Sequence, residues 1–456
     1  MKNAKSSAGL LADSSKASTD KMPAKRQKIG LIGLGNGVGD ALFALKAMYG
    51  LKHFYGAEVV YFSNKISKQM FRNCDFIDEC VDLGDISGGF LRDFATAQMI
   101  AQEKCDVVIL GELKSKSVRL LKQAKIKRII CAMKIFSLFS WRCRTLPIYA
   151  RSKYKNLSKE AILIAFARKA DRGGGYNRAR RAFDEGVRNL TWRDISLKLD
   201  KSNVAFAKGF WDKVVASVES SQKFGVDSGA KAGAQGRIYT ILVNPFNISN
   251  PYSISQKGFL QLIEKIASMP QFVVIVPTYK AVHDAFMRDF EKYFGVKPKG
   301  AESSFNDFGA DSAKVDSIKL DSALDSSNSG ADCDLDSANL DSRALSRTNA
   351  SQSALENIYI FQNTDDLLNL AALMRHISLC ISPSTGTIHI ASNQGARTLG
   401  LFSRSDSMRW ATDDKRYIIL EKPLKELSHN EEQKIIAQTL QELESMRAQG
   451  AIEPKL

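Results

Sequence analysis

Apolar residues along this chain fall into two kinds of pattern: short continuous runs, and stretches where they recur every three or four positions. Continuous runs bounded by turn residues predict buried strands, and the helical period predicts amphipathic helices. Strands are expected at Ile29–Leu34, Glu58–Phe62, Asp106–Leu110 and Arg128–Cys131, with helices over Asp40–Phe54, Phe90–Glu103 and Ser115–Ala124. A second series places strands at Ile238–Pro245, Phe272–Pro277, Asn357–Phe361, Ile377–Ser382 and Thr398–Phe402. Helical stretches open between them at Ser255, Lys280, Thr364 and Gly386. Strand and helix alternating twice over predicts two α/β domains with mainly parallel sheets. Ligands are then expected at the strand C-terminal ends and in the cleft between the domains.

Three segments break the pattern. Residues 1–27 are rich in Lys, Ser and Ala and lack the apolar centre of a signal peptide, which predicts a disordered basic tail. Residues 217–237, rich in Gly, Ser, Lys and Ala, are expected to link a first domain over 28–216 to a second over 238–456. Residues 301–351 repeat units such as "VDSIKLDSALDSS" with little to bury and predict a disordered insertion in the second domain. The triplets "DCD" and "DLD" at Asp332–Asp336 follow from that repeat and give no reason to expect a metal. The insertion holds ten acids and four bases, so the rest of the chain carries about +22 of the overall +16. None of the seven cysteines forms a CxxC pair, and they read as reduced thiols of a cytoplasmic protein. No apolar run approaches the length of a membrane span.

The stretch "IGLIGLGNGVGDALFALKAMYGLKHF" (Ile29–Phe54) carries glycines at 33, 35, 37 and 39 between a strand and a helix. A dinucleotide cradle needs a further glycine three residues after the second one. That slot holds Val38, Asp40 or Leu42 in the three possible registers, so a nicotinamide dehydrogenase is disfavoured. What remains is a flexible turn presenting Asp40 at the start of a helix. Gly37 and Gly39 are expected to give the turn positive φ angles and to leave room for a substrate beside the backbone.

The second domain offers "ISLCISPSTGTIHIASNQGARTLGLFSRSDSMRW" (Ile377–Trp410). A buried strand ends at Ser382, and Ser384, Thr385, Gly386 and Thr387 open a helix that carries His389. Hydroxyls, a glycine and a helix N-terminus suit a diphosphate. Simple capping by Ser384 or Thr385, with His389 filling the inner face, is the competing reading.

This stretch resembles the signature of glycosyltransferase family 9, the ADP-heptose:lipopolysaccharide heptosyltransferases, in its Thr385-Gly386-x-x-His389 pattern, Ala391, Leu401-Phe402 and Arg409-Trp410. Gly39-Asp40 and "LVNPF" (Leu242–Phe246) match the openings of the family's two domains. Ser384 stands where the family usually has Asp. The resemblance implies a GT-B fold, two Rossmann-like domains facing a cleft, with the acceptor on the N-terminal side and the nucleotide sugar on the C-terminal side. It implies inverting transfer without metal or other cofactor, with Asp40 as the base. Ser384, Thr385, Gly386, Thr387 and His389 would bind the donor, Gly37 and Gly39 would border the acceptor, and Lys257, Arg404 or Arg409 would supply charge to the diphosphate. The donor sugar, heptose or another, stays open, as does a binding protein that keeps the fold without transfer.

Residues 134–181 hold thirteen bases and two acids, interleaved with Phe136, Phe139, Trp141, Tyr149 and Tyr154. No nucleic-acid readout motif accompanies them. An acidic glycolipid acceptor at the inner face of the inner membrane is the expected partner, which makes the protein cytoplasmic and peripheral. A solvated helix face is the alternative.

Overall fold

The computed structural model describes residues 26–33, 37–84, 94–112, 115–148, 157–171, 176–224, 237–247, 250–298, 354–364 and 366–456. The insertion at 301–351, most of the tail at 1–27, residues 225–236 of the linker, and Tyr149 and Tyr154 lie outside them.

The first sheet contains β1 (Lys28–Ile32), β2 (Glu58–Ser63), β3 (Glu79–Asp82), β4 (Val107–Leu110), β5 (Arg128–Ala132) and β6 (Cys143–Leu146) in the order β3-β2-β1-β4-β5-β6. The second contains β7 (Tyr239–Val243), β8 (Phe272–Tyr279), β9 (Ile358–Asn363), β10 (Leu379–Pro383), β11 (Arg397–Ser403) and β12 (Tyr417–Leu420) in the order β12-β11-β10-β7-β8-β9. Every neighbouring pair is parallel. Numbered from its own first strand, each sheet has the doubly wound order 3-2-1-4-5-6. The central strands are buried on both faces, and for that reason they read as unbroken apolar runs. Three strands lie outside the expected set, β3, β6 and β12, all at sheet edges: β3 and β6 mix polar with apolar residues, and β12 is an apolar run of only four residues.

The predicted helix at 40–54 is two helices, α1 (Val38–Leu42) and α2 (Leu45–Tyr55), with buried Phe43 and Ala44 at the corner. The chain continues through α3 (Lys65–Met70), α4 (Phe94–Gln102), α5 (Ser115–Gln123), α6 (Ile135–Leu138), α7 (Lys159–Ala167) and α8 (Tyr176–Asn189). Helix α9 (Lys201–Phe224) then reaches into the stretch expected to be linker. It packs across to the second sheet, with Phe206 and Phe210 edge-on to Phe361 of β9 and Trp211 stacked on His376 at 5.0 Å. Polar clasps add to this seam: Arg72 bonds Asp200 and Asp366, and Asn203 donates to Asp366 at 2.9 Å. The second half carries α10 (Gln256–Ala267), α11 (Lys280–Phe294), α12 (Leu367–Met374), α13 (Gly386–Asn393), α14 (Arg404–Arg409) and α15 (His429–Ala448). The six cysteines among the described residues are free thiols, and no described helix is long and apolar enough to cross a membrane.

Candidate active site

In each sheet the winding direction reverses between its first and fourth strands, β1 and β4 in one, β7 and β10 in the other. The loops leaving such neighbours diverge to opposite faces and open a crevice at the strand ends. Asp40 follows β1, Glu112 follows β4, Asn244 follows β7 and Ser384 follows β10. The two crevices face each other, and α1 of the first half abuts α13 of the second.

Two glycines make that approach possible. A Cβ on Gly39 would lie 2.7 Å from Cδ2 of His389, and one on Gly386 would lie 2.7 Å from Cβ of Val38. Each glycine thus clears the space that a side chain of the opposite half occupies. The expected positive φ is not what Gly37 and Gly39 provide. Gly37 has φ −76°, and the left-handed glycines among the described residues are Gly56, Gly84, Gly295, Gly395 and Gly450. Close packing between the halves is the physical reason at Gly39, whereas a Cβ on Gly37 would meet the Asp40 carboxylate at 3.0 Å.

A cavity of about 460 Å³ lies at this junction. Gly37, Val38, Gly39 and Asp40 line it from the first half, and Ser384, Thr385, Gly386 and His389 from the second. The Gly37 N–H donates to Asp40 Oδ2 at 3.3 Å, so the third residue of α1 reaches back to the N-cap backbone. This bond fixes the carboxylate at its own helix start. Burial raises the Asp40 pKa above the ordinary carboxylate value; the Gly37 N–H and the Lys159 ammonium oppose the rise, and Glu112 adds to it. The carboxylate is therefore a stronger base than a solvated one, which suits proton abstraction.

The N-terminus of α13 is arranged differently. Thr385 occupies the N-cap position, but its hydroxyl does not cap the helix. It is held by Asn244 Nδ2 and Ser382 Oγ, each at 3.0 Å. The first N–H groups of α13 consequently have no side-chain acceptor and face the cavity with the positive end of the helix dipole. The capping expectation for Thr385 fails because Asn244 claims the oxygen.

His389 forms a wall of the cavity and is only 3% exposed. Its ring meets Phe43 edge-on at 4.9 Å and lies 5.8 Å from Trp192. Its Nδ1 has no partner among the described residues, and burial pushes its pKa down to about 3. The imidazole is thus neutral across physiological pH and serves as a packing and hydrogen-bonding surface rather than as a proton donor.

The charges expected for a diphosphate are placed elsewhere. Lys257 is exposed on the first turn of α10, and Arg404 pairs with Glu421 at 2.9 Å. Arg409 is exposed at the end of α14, and none of the three lines the cavity. The pairing with Glu421 takes Arg404 toward β12. A cation that the sequence motifs did not point to is Lys159, the first residue of α7: it does not line the cavity either, but its charge acts on Asp40 and it sits 5.6 Å over the ring of Trp410. Its only sequence signal is its place within the basic segment.

Asn250, Pro251, Tyr252, Ser403, Ser405, Asp406 and Trp410 complete the lining; of these only Trp410 entered the sequence signature. Asp406 Oδ2 accepts from Asn250 Nδ2 at 2.7 Å and from Ser403 Oγ at 2.8 Å. The fixed carboxylate leaves acceptor capacity toward the cavity for a sugar or ribose hydroxyl. A Ser-x-x-Asp spacing at 403–406, an N-cap pattern, was the available clue.

Two doubly wound halves meeting over one cleft, with an acid on one side and a helix N-terminus on the other, define the GT-B class of architecture. Residues 341–439 match the family model of glycosyltransferase family 9 (heptosyltransferase). That match takes in Ser384–His389, so the chain carries a glycosyltransferase family 9 region in its second half. Among solved structures it is similar to a glycosyl transferase family 9 protein from Veillonella parvula DSM 2008, with TM-score 0.55 and 12% identity, covering 92% of this chain and 98% of the other. It is also similar to the E. coli ADP-heptose lps heptosyltransferase II, with TM-score 0.51 and 12% identity, covering 91% and 99%. At that identity these two comparisons speak for the fold. Comparison with curated protein sequences gives no match.

Proposed function

We propose that this protein is an inverting, metal-independent glycosyltransferase that moves a sugar, heptose, from a nucleotide-sugar donor, ADP-heptose, to a lipopolysaccharide core or related surface glycan. The observation that carries this reading is that Asp40 and the uncapped N-terminus of α13 line one cavity from opposite halves. In the reaction the acceptor hydroxyl attacks the anomeric carbon and Asp40 takes its proton. The bond from that carbon to the diphosphate oxygen breaks on the far side, and the electron pair leaves with the phosphate. The N–H groups of Gly386 and Thr387 and the charge of Lys159 stabilise the developing negative charge. Asp406, held by Asn250 and Ser403, orients a hydroxyl of the donor, and Ser384 offers a neutral hydroxyl where the family usually has a carboxylate.

The acceptor is an acidic glycolipid reached at the inner face of the inner membrane, where a cytoplasmic, peripheral enzyme would work. The basic character of residues 134–181 supports this. A binding protein that keeps the fold is the second reading, favoured by Ser384. A thermal-shift series with nucleoside diphosphates and nucleotide sugars, followed by a transfer assay with and without chelator, separates the two. The transferase reading expects ADP-heptose to raise the melting temperature and transfer to survive chelation. Donor binding without transfer to any lipopolysaccharide acceptor would favour the binding protein.

A further inference from the structure

The three most exposed large apolar side chains among the described residues are Phe139 (85%), Trp141 (80%) and Ile135 (78%), and Leu138 (59%) lies between them. All four fall in the seven residues from 135 to 141, on α6 and the turn into edge strand β6. The usual polarity of a surface segment is inverted here, because Ser137 and Ser140 are the buried residues. Ser137 Oγ donates to the Lys134 carbonyl at 2.7 Å and accepts from the Lys134 N–H at 2.9 Å. The Arg142 guanidinium donates to the Lys122 carbonyl at 3.3 Å and lies 5.3 Å over the Trp141 ring. The apolar side chains therefore project from a pinned backbone and are left exposed among the described residues.

Charge identifies what covers them. Residues 113–159 contain fourteen Lys and Arg and no Asp or Glu. Lys122, Lys125, Lys127, Lys134 and Arg144 are exposed around the apolar group. A second copy of this chain, itself at +16, would bring like charge to the same face. An anionic bilayer satisfies both features, since its headgroups attract the cations while the interface takes up aromatic and aliphatic side chains. The other part of the basic segment lacks this character: on α8, Arg181 pairs with Glu185 at 2.8 Å and Asp184 holds Arg168.

We propose that residues 135–141 form a wedge that inserts into the headgroup region of an anionic membrane and docks the first half of the enzyme on the lipid surface. This deepens the glycolipid-acceptor reading and rests on it for its biological meaning, while its test uses neither donor nor acceptor. Full-length protein is sedimented with phosphatidylcholine vesicles with or without about 30% phosphatidylglycerol, and Trp fluorescence is recorded on the same samples. The expected results are binding only to the anionic vesicles and a blue shift that Trp141→Phe abolishes. The double variant Phe139→Asp, Trp141→Asp should bind about tenfold less at an unchanged melting temperature. Arg181→Glu should bind as the wild type does. Vesicle binding by the double variant equal to wild type, or no binding by the wild type, overturns the wedge. A wild-type dimer that the double variant dissociates, without vesicle binding, assigns the patch to a second copy and also overturns it. Normal transfer by Asp40→Asn would remove the catalytic reading but leave vesicle binding untouched, so the two failures are distinguishable.

Discussion

The loops after β1 and after β10 lie at the switch points of two sheets of the same winding, after the first strand of one and the fourth strand of the other, and each opens a helix onto the same cavity. They differ in what satisfies the helix start. On α1 the Asp40 carboxylate folds back onto the Gly37 N–H, so one backbone donor of that terminus is met by its own acid. On α13 the Thr385 hydroxyl is diverted to Asn244 and Ser382, so that terminus stays open to an external anion. One duplicated architecture thus yields a base on one side and an anion cradle on the other. The partner of a single capping oxygen assigns the roles.

Gly39→Val breaks the comparison most severely. Its Cβ would press into the His389 ring, which Phe43 and Trp192 hold on its other faces. Overpacking of this kind costs about 1–3 kcal/mol and displaces α1 from α13. Transfer should fall by about a hundredfold or more, because misplacement on the order of 1 Å carries penalties of that size. The melting temperature should fall with it, as read by thermal denaturation and an initial-rate assay. A variant with wild-type rates would show that the halves need not meet this closely.

Asn244→Ala sharpens the same contrast. It frees the Thr385 hydroxyl to cap α13, so the open terminus should begin to close. Nucleotide-sugar affinity measured by calorimetry should weaken by about 1–2 kcal/mol, the worth of a charge-assisted hydrogen bond or so. Thr385→Val in the same titration should weaken it by less, since that hydroxyl is already engaged by protein. Equal affinity in both variants would mean that the donor does not use this terminus.

Deleting residues 301–351 and rejoining the ends with a short Gly/Ser loop is the smallest perturbation. Closure entropy changes only slowly with the number of residues between two fixed ends. Donor affinity and melting temperature should stay close to those of the full chain.

Much of this arrangement was legible in the sequence. The unbroken apolar runs of the central strands and the Gly-Asp and Thr-Gly-x-x-His stretches located both switch-point loops. Edge strands β3 and β6 were hidden because half-exposed strands carry no continuous apolar signal, and β12 because its apolar run is only four residues long. The site charge was misplaced for a related reason. Local motifs pointed to Lys257, Arg404 and Arg409, whereas Lys159 acts on Asp40 from 119 residues further along the chain, through tertiary packing of α7. Asn244 and Asp406 act through bonds to residues 141 positions later and 156 positions earlier, a separation that no local pattern reports.

The titration of Asp40 links its environment to rate. Its pKa is raised chiefly by burial, so ionisation is less favourable in the folded protein than in the unfolded chain. This contribution to stability is fully present below the unfolded value and is lost as pH rises through the folded one. Replacing Asp40 by neutral Asn, which still accepts the Gly37 N–H, therefore should not lower stability at neutral pH. The acid limb of kcat/KM should lie above the ordinary carboxylate range. His389, held neutral by burial, should add no limb between about pH 5 and 8.

The most direct test of the account is to measure donor binding and transfer side by side in wild type and Asp40→Asn, with ADP-heptose and a lipopolysaccharide core acceptor. The account predicts unchanged donor affinity, an unchanged or slightly higher melting temperature, and transfer reduced by about 10² or more. Transfer within a few-fold of wild type, with the donor equally bound, would contradict it and reduce Asp40 to the cap of α1.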